Sequence, residues 1–265
     1  MPTAQVRGIE MAYDDSGSGL PVVLLHGFPF NRSMWRDQRE FLSGDYRVIT
    51  PDLRGHGETD ATSEPATMDE MARDVAELLD GLDIYRFTLG GLSMGGYVAL
   101  AFYRRFQFRV RALLLADTRS QADTDEARVN RERQALKILE EGMGNFAEDF
   151  LKKVLTPATL AEKPDIAKRV REMIVATKPE GAAAALRGMA ARPDQTDFLN
   201  NIIAPTLIVV GSEDQVTPPA DAEALHREIS GSRLEIIEGA SHLSNIERPS
   251  EFNRALKDFL DALQR

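Results

Sequence analysis

Ser93 is well placed for covalent chemistry, because it lies at the centre of the sequence GLSMG at positions 91–95. Strand-forming residues at 85–89 precede this sequence, and an apolar run at 97–106 that suits a helix follows it. Glycines two residues before and two residues after a serine allow the sharp strand-to-helix turn of a nucleophile elbow, which exposes the hydroxyl. Because Gly and Ser are common residues, the pattern alone also fits a glycine-rich turn with a solvent-facing serine. Other residues must decide between the two interpretations.

A serine hydroxyl becomes nucleophilic when an imidazole takes its proton and an acid holds that imidazole in the correct tautomer. Asp214 follows a predicted strand at 206–210, and His242 follows another at 233–237. Open parallel sheets build their sites at the carboxyl ends of the strands. The chain therefore predicts a Ser, Asp, His set in that order, with each residue leaving a different strand.

Two other carboxylates compete for the role of the acid. Asp117 follows the predicted strand at 110–116 and is the main alternative. Glu213 lies directly beside Asp214 and is interpreted as a solvated loop charge. Asp214 is the acid that we predict.

The three remaining histidines are interpreted as structural. We expect His26 to brace its loop, His56 to order a glycine-rich loop, and His226 to lie on the surface of a helix. No pair of them has a metal-ligand spacing supported by carboxylates, so no metal site is predicted.

Several arginines cluster in the sequence just after the predicted strand at 110–116, namely Arg119, Arg128, Arg131 and Arg133. A solvated helix face explains such a cluster. Binding of a substrate carboxylate is the alternative.

These side chains need a scaffold of alternating strands and helices. Continuous apolar runs, as at 22–25 and 206–210, are typical of strands buried on both faces of a parallel sheet. Thr67 and Glu70 form a capping box at the start of a predicted helix. Together with the strand, elbow, helix and strand predicted between 85 and 116, this alternation indicates a doubly wound α/β sheet.

The alternation stops after residue 118. The following residues show only helical patterns, at 127–141, 145–155, 165–176 and 180–191. The sheet pattern resumes after residue 201. We therefore predict an α/β core at 1–118 and 202–265, and an all-helical cap at 119–201, called the cap segment below.

The bulk composition is that of a globular protein, with 265 residues of which 43% are hydrophobic and 28% charged. A net charge of -10 argues against a nucleic-acid or anionic-membrane partner. With no cysteine, the chain forms neither disulfides nor cysteine-based zinc sites. The first ten residues lack the apolar stretch of a secretory signal, so a cytoplasmic location is expected. These properties do not indicate an oligomeric state.

Five motifs together resemble the α/β-hydrolase fold superfamily in order and spacing. They are HGFP at 26–29, DLRGHG at 52–57, GLSMGG at 91–96, GSED at 211–214 and GASH at 239–242. The sequence ADTR at 116–119 and the cap segment look like those of capped microbial carboxylesterases, which are similar to 3-oxoadipate enol-lactonases. The resemblance covers essentially the whole chain. It implies an α/β-hydrolase fold, with a mostly parallel twisted sheet flanked by helices and an inserted helical cap.

The resemblance also implies the role of each reacting residue. Ser93 would be the nucleophile, His242 the general base and Asp214 the acid. A serine at the elbow, where relatives have Asp or Cys, disfavours dehalogenase and epoxide-hydrolase chemistry. No cofactor is expected.

An oxyanion hole is expected from two backbone N–H groups, those of Met94 and Phe28. Gly27 would let the loop of Phe28 approach closely. The predicted substrate-binding residues are Gly27, Phe28, Met94 and Phe146, and the other apolar residues considered for the pocket are Trp35, Phe150 and Met189.

The predicted function is hydrolysis of small carboxylic esters, of short to medium acyl chain, through an acyl-enzyme. A lactone hydrolase similar to 3-oxoadipate enol-lactonases is the nearest alternative, because the same three residues serve both reactions. A non-catalytic ligand-binding protein on the same scaffold is an alternative of a different class. The only partner expected is a small-molecule ester.

Overall fold

The protein is described by a computed structural model that covers residues 2–62 and 65–264. Within these residues eight strands are present: β1 (Thr3–Val6), β2 (Ile9–Ser16), β3 (Leu20–Leu25), β4 (Tyr46–Pro51), β5 (Phe87–Leu92), β6 (Val110–Ala116), β7 (Thr206–Gly211) and β8 (Arg233–Ile237). They form one sheet in the order β1-β2-β4-β3-β5-β6-β7-β8. The pairs β1–β2 and β2–β4 are antiparallel and all the others are parallel. The predicted mostly parallel sheet is confirmed.

The central strands are apolar because both of their faces are covered. Every residue of β5 and β7 is buried, as are the last four residues of β3. This burial matches the continuous apolar runs of the sequence, which differ from the alternating pattern of a half-exposed strand.

Helices follow the strands along the chain. In the described residues the α-helices are α1 (Arg36–Leu42), α2 (Met68–Gly81), α3 (Met94–Phe106), α4 (Asp125–Glu141), α5 (Met143–Val154), α6 (Pro157–Glu162), α7 (Pro164–Ala176), α8 (Pro179–Ala190), α9 (Pro219–Glu228), α10 (Ser244–Glu247) and α11 (Pro249–Ala262). Three short 3-10 helices lie at Arg32–Trp35, Gln107–Arg109 and Thr196–Asn201. The capping box of α2 forms as expected. The hydroxyl of Thr67 accepts the Glu70 N–H at 3.2 Å, and the Glu70 carboxylate accepts the Thr67 N–H at 3.3 Å.

Helices α4 to α8 lie in the cap segment, between β6 and β7. The two chain crossings that connect the cap segment to the sheet run side by side. The Gln195 N–H donates to the Ser120 carbonyl at 3.0 Å, and the Ala122 N–H donates to the Asp194 carboxylate at 3.1 Å. The cap segment therefore leaves the sheet and returns to it at almost the same place.

The cap segment packs on loops that follow several different strands. The Ala66 N–H donates to the Ala184 carbonyl at 3.0 Å, and the Thr177 hydroxyl donates to the Pro29 carbonyl at 2.5 Å. Gly181 approaches Gly55 so closely that an added Cβ would lie 1.9 Å from the Gly55 carbonyl oxygen. These helices thus cover the carboxyl ends of the parallel strands.

Three local features were not indicated by the sequence. Strand β5, predicted at 85–89, lies at Phe87–Leu92 and so runs through Gly90 and Gly91, although glycines usually indicate a turn. Strand β1 precedes β2 and pairs with it, and no strand was predicted there. Phe41 is apolar but 46% exposed, whereas Trp35 is fully buried.

Candidate active site

Ser93 occupies a strained turn between β5 and α3. Its φ of 55° and ψ of -114° place it in a region that residues with a Cβ rarely adopt. The flanking glycines are required by space. A Cβ on Gly91 would lie 2.1 Å from the Gly95 carbonyl oxygen, and a Cβ on Gly95 would lie 2.2 Å from the Leu25 carbonyl oxygen. The sequence GLSMG therefore forms the predicted elbow.

His242 joins the other two predicted residues. Its Nε2 lies 2.8 Å from the Ser93 Oγ, and its Nδ1 lies 2.8 Å from the Asp214 Oδ2. Since a carboxylate only accepts, Nδ1 carries the proton and Nε2 is left to accept the serine hydroxyl. The imidazole is almost fully buried, at 1% exposure, whereas Ser93 is partly exposed. The structure brings Ser93, His242 and Asp214 into one chain of hydrogen bonds.

Asp214 is held by its own loop. The N–H groups of Val216 and Thr217 donate to Oδ1 at 2.7 and 3.0 Å, and the Thr217 hydroxyl donates to Oδ2 at 2.8 Å. Burial acts to raise the pKa of Asp214, but His242 and the hydrogen bonds outweigh burial and lower this pKa below the ordinary value. Asp214 is therefore an ionised carboxylate, able to stabilise a protonated imidazole.

Asp117, the alternative acid, points elsewhere. It accepts the Gly211 N–H at 2.9 Å and the Ser244 hydroxyl at 2.6 Å, and it is fully buried. Burial, and next the negative charge of Asp214, raise the pKa of Asp117 well above its ordinary value. Asp117 thus ties the end of β7 to the loop that carries His242. The Glu213 side chain is exposed, as expected of a loop charge, and in the described residues it forms no hydrogen bond with Asp214 or His242.

The backbone N–H groups of Phe28 and Met94 make no hydrogen bond to another residue within 2–62 and 65–264. Met94 is the first residue of α3, where the helix leaves its N–H groups unpaired. A Cβ on Gly27 would lie 3.2 Å from the Leu92 carbonyl oxygen and 3.4 Å from the Ser93 Cβ. The loop of Phe28 therefore passes next to the serine, as the predicted oxyanion hole requires.

Aromatic side chains of the cap segment pack on this loop. The ring of Phe28 meets those of Phe146 and Phe150 edge-on, with centroids 6.0 and 6.3 Å apart, and the latter two rings stack at 5.0 Å. Phe146 and Phe150 also line a cavity of about 140 Å³ between α4 and α5. Trp35 packs instead against Phe252 at 5.9 Å.

The buried histidines take structural positions. His26 donates through Nδ1 to the Gly27 carbonyl at 2.9 Å and accepts the Leu53 N–H on Nε2 at 2.9 Å. His56 donates through Nδ1 to the Arg54 carbonyl at 3.0 Å. Burial lowers the pKa of His26 to about 4 and that of His56 to about 3, so both are neutral. His226 is exposed and bonds Ser232 at 2.8 Å.

Two of the clustered arginines turn inward onto one carboxylate. Asp123 is fully buried and forms ion pairs with Arg131, with Arg119 at 3.5 Å and with Arg192 at 2.8 Å. The Arg192 guanidinium also stacks over the Tyr97 ring, 4.2 Å from its centroid. This cluster lies beside the crossings of the cap segment. Two other arginines bond side chains of their own helix, with Arg128 on Asp125 and Arg133 on Asn130.

Thr217 was not among the predicted residues, yet it contributes two of the hydrogen bonds to Asp214. A signal was present, because a Thr three residues after an Asp is a common partner in local turns. Met189 lies against the Arg131 guanidinium, with its sulfur at 3.6 Å.

Two kinds of feature are absent from the described part of the chain. Residues 2–62 and 65–264 contain no cluster of three or more His, Asp or Glu side chains that would hold a metal ion. Over the same ranges, every helix is too short or too polar to span a bilayer.

Comparisons with known proteins identify the family. The model of the family described as alpha/beta hydrolase fold matches residues 21–249. A 3-oxoadipate enol-lactonase of Acinetobacter baylyi is 33% identical over 96% of this chain and 94% of its own length. Among solved structures, a thermophilic esterase from Thermogutta terrifontis, with malate bound, is 42% identical, has a TM-score of 0.98 and is matched over 100% of both chains. An enol-lactonase from Burkholderia xenovorans is 32% identical with a TM-score of 0.92, matched over 98% of this chain and 100% of its own.

Proposed function

This chain belongs to the α/β-hydrolase family, and from that premise we propose that it is a carboxylesterase that hydrolyses small esters through an acyl-enzyme on Ser93. The observation that carries the proposal is the pair of 2.8 Å contacts from His242 to Ser93 and to Asp214. Such an arrangement makes a serine hydroxyl nucleophilic and returns its proton to a leaving group.

The proposed reaction has two halves. In the first, the Ser93 Oγ attacks the ester carbonyl while His242 Nε2 takes the hydroxyl proton, and the same imidazole then protonates the departing alcohol. In the second, water attacks the acyl-enzyme, His242 takes the proton of that water, and Ser93 is released. Asp214 stabilises the imidazolium that forms in each half.

The negative oxygen of each tetrahedral intermediate would be bound by the N–H groups of Phe28 and Met94. Their lack of partners among the described residues supports this assignment, since a preorganised pair of free donors is what an oxyanion needs. Loss of one such donor costs on the order of 10²–10³ in rate. Gly27 would be needed because the loop passes so close to Ser93.

The acyl or alcohol group would lie against the aromatic rings of Phe28 and Phe146. Phe146 and Phe150 stack at 5.0 Å and both meet the Phe28 ring, so the loop that would supply an oxyanion donor is covered by apolar side chains of the cap segment. A covered, apolar position of this kind supports a small ester with a short to medium acyl chain. The solved esterase with the highest identity reported above supports an ester substrate as well.

Lactone hydrolysis is the second proposal, and the enol-lactonase relatives favour it. An enol-lactone is a cyclic ester, so the same attack by Ser93 would open it. The chemistry of the reacting residues is equal for both substrates, and the cap segment would decide between them.

The test is a panel of p-nitrophenyl esters of increasing acyl length, assayed beside an enol-lactone, for the native chain and for Ser93→Ala. We expect turnover of the shorter esters and a loss on the order of 10⁶ in kcat for Ser93→Ala. Alanine keeps the Cβ and hence the backbone strain of the elbow, so circular dichroism and the melting temperature should be unchanged. Retained activity in Ser93→Ala would refute the nucleophile. Tight ligand binding without turnover of any ester or lactone would favour a binding protein.

A further inference from the structure

Glu247 is a buried carboxylate to which the proposed reaction assigns no part. It is the last residue of α10, five residues after His242, and it is 1% exposed. A buried carboxylate is costly unless donors satisfy both of its oxygens. The identity of those donors therefore indicates what Glu247 is for.

One oxygen holds the backbone next to His242. The Ser241 N–H donates to the Glu247 Oε1 at 2.7 Å. Ser241 directly precedes His242, so this bond fixes the peptide from which the imidazole projects. Movement of this peptide by about 1 Å would therefore change the distances from the imidazole to Ser93 and to Asp214, which are both 2.8 Å.

The other oxygen holds the cap segment. Thr156, the N-cap residue of α6, donates to the Glu247 Oε2 through its N–H at 2.9 Å and through its hydroxyl at 3.0 Å. At the other end of α6, the Lys163 ammonium donates to the Glu247 backbone carbonyl at 3.1 Å. Both ends of α6 are thus attached to Glu247.

We propose that Glu247 is a positioning residue, which joins the backbone at Ser241 to helix α6. As long as α6 contacts Glu247, the imidazole of His242 is held within hydrogen-bond distance of Ser93. This inference rests on the proposed function, in which His242 is the base. It makes the placement of the imidazole depend on a helix that contributes no reacting group. Displacement of α6 would therefore shift Glu247 and with it the backbone at His242. Movement of that backbone would in turn weaken the contacts of Glu247 with α6.

Glu247→Gln tests the requirement for two acceptors. The carboxamide has one acceptor oxygen and one NH₂ donor, so an N–H of either Ser241 or Thr156 must face another donor. We expect kcat to fall by on the order of 10²-fold with KM changed little, because misplacement of a reacting group affects the chemical step. The burst of acyl-enzyme formation should slow by the same factor.

The matched control is Asp74→Asn. Asp74 is also a fully buried carboxylate, but it pairs with Arg54 and Arg7 and contacts neither α6 nor the loop of His242. Both variants should lower the melting temperature, and only Glu247→Gln should lower kcat. If the two variants share the same kcat despite similar losses of stability, the carboxylate is structural only and the proposal is overturned.

A milder pair keeps the inference testable if Glu247→Gln does not fold. Thr156→Ser keeps the hydroxyl that donates to Glu247, and Thr156→Val removes it at nearly constant volume. We expect Thr156→Ser to keep the native kcat and Thr156→Val to lose about tenfold. Equal kcat in these two variants would overturn the inference.

Amide hydrogen exchange separates this inference from the proposed function. In the native chain the N–H groups of Ser241 and Thr156 should be protected, and Thr156→Val should lose protection at both, although the change lies on α6 alone. Unchanged exchange at Ser241 would overturn the connection, whether or not the protein turns over esters. Absence of ester turnover with coupled exchange would overturn the proposed reaction and leave the connection in place.

Discussion

Asp117 and Asp214 follow neighbouring parallel strands, β6 and β7, and both carboxylates are buried, yet their pKa values shift in opposite directions. Asp117 receives one backbone N–H and one serine hydroxyl, and its pKa rises. Asp214 receives three donors from its own loop and faces the imidazole of His242, and its pKa falls. Burial acts on both in the same direction. The partners therefore decide the direction of each pKa shift, and of these two carboxylates only Asp214 bonds the imidazole of His242.

Asp117 and Asp214 hold the loop of His242 in two different ways. Asp117 bonds Ser244, two residues after His242, and so braces the loop from the β6 side. Asp214 bonds the imidazole itself. A residue that holds the backbone and a residue that orients the ring should respond differently to the same Asp→Asn substitution.

The largest expected difference is in turnover. Asp214→Asn should lower kcat on the order of 10⁴-fold, because the amide would stabilise the wrong tautomer of His242. Asp117→Asn should stay within a few-fold of native, since its amide oxygen still accepts the Gly211 N–H and its NH₂ can donate to the Ser244 oxygen. Steady-state kinetics on one ester measures both. A mild effect at 214 with a severe effect at 117 would transfer the role of the acid to Asp117.

A smaller effect is expected from a partner of Asp214. Thr217→Val removes the hydroxyl that donates to Oδ2 but leaves both backbone donors. Hydrogen bonds to charged groups contribute about 1.5–3 kcal/mol, of which we expect part to appear in the barrier, as a loss of about tenfold in kcat. Thr217→Ser is the control and should recover the loss. Equal loss in both variants would show that the hydroxyl is not the cause.

The smallest effect concerns stability and pH. The pKa of Asp117 is raised in the folded state, so its contribution to stability is full below the unfolded pKa of about 3.9 and is lost as pH rises through the folded value. Asn carries no such penalty. The melting temperature of Asp117→Asn relative to native should therefore rise as pH increases from about 4 to 8, at about 2–4 °C per kcal/mol. A constant difference in melting temperature across this range would show that ionisation of Asp117 does not destabilise the folded protein.

The family and the α/β-hydrolase fold were predictable from the sequence and are confirmed by the comparisons. The reason is that buried parallel strands need continuous apolar runs, and β3, β6 and β7 have them. That the chain is a hydrolase is supported by its relatives, whereas its ester substrate and the roles of Ser93 and His242 stay predictions. Their side chains nevertheless meet as the motif order indicated.

What could not be predicted depends on contacts between distant parts of the chain. Strand β5 continues through Gly90, where an added Cβ would lie 2.7 Å from the Leu24 Cδ2, and a local sequence pattern does not show this contact between strands. Phe41 is apolar and at helical spacing, yet it faces solvent. Helix α6 has only six residues, and Glu247 meets its N-cap residue, Thr156, from 91 positions away.

The adjacent crossings of the cap segment allow the length of the chain between them to vary. Because residues 120 and 195 are hydrogen-bonded to each other, the sheet presents almost one attachment point to whatever lies between them. A segment of another length could replace residues 121–194 without rearrangement of the strands, provided that its two ends lie equally close together. A replacement segment would still need partners for Glu247 and for the loops at Pro29, Gly55 and Ala66, which the present helices contact.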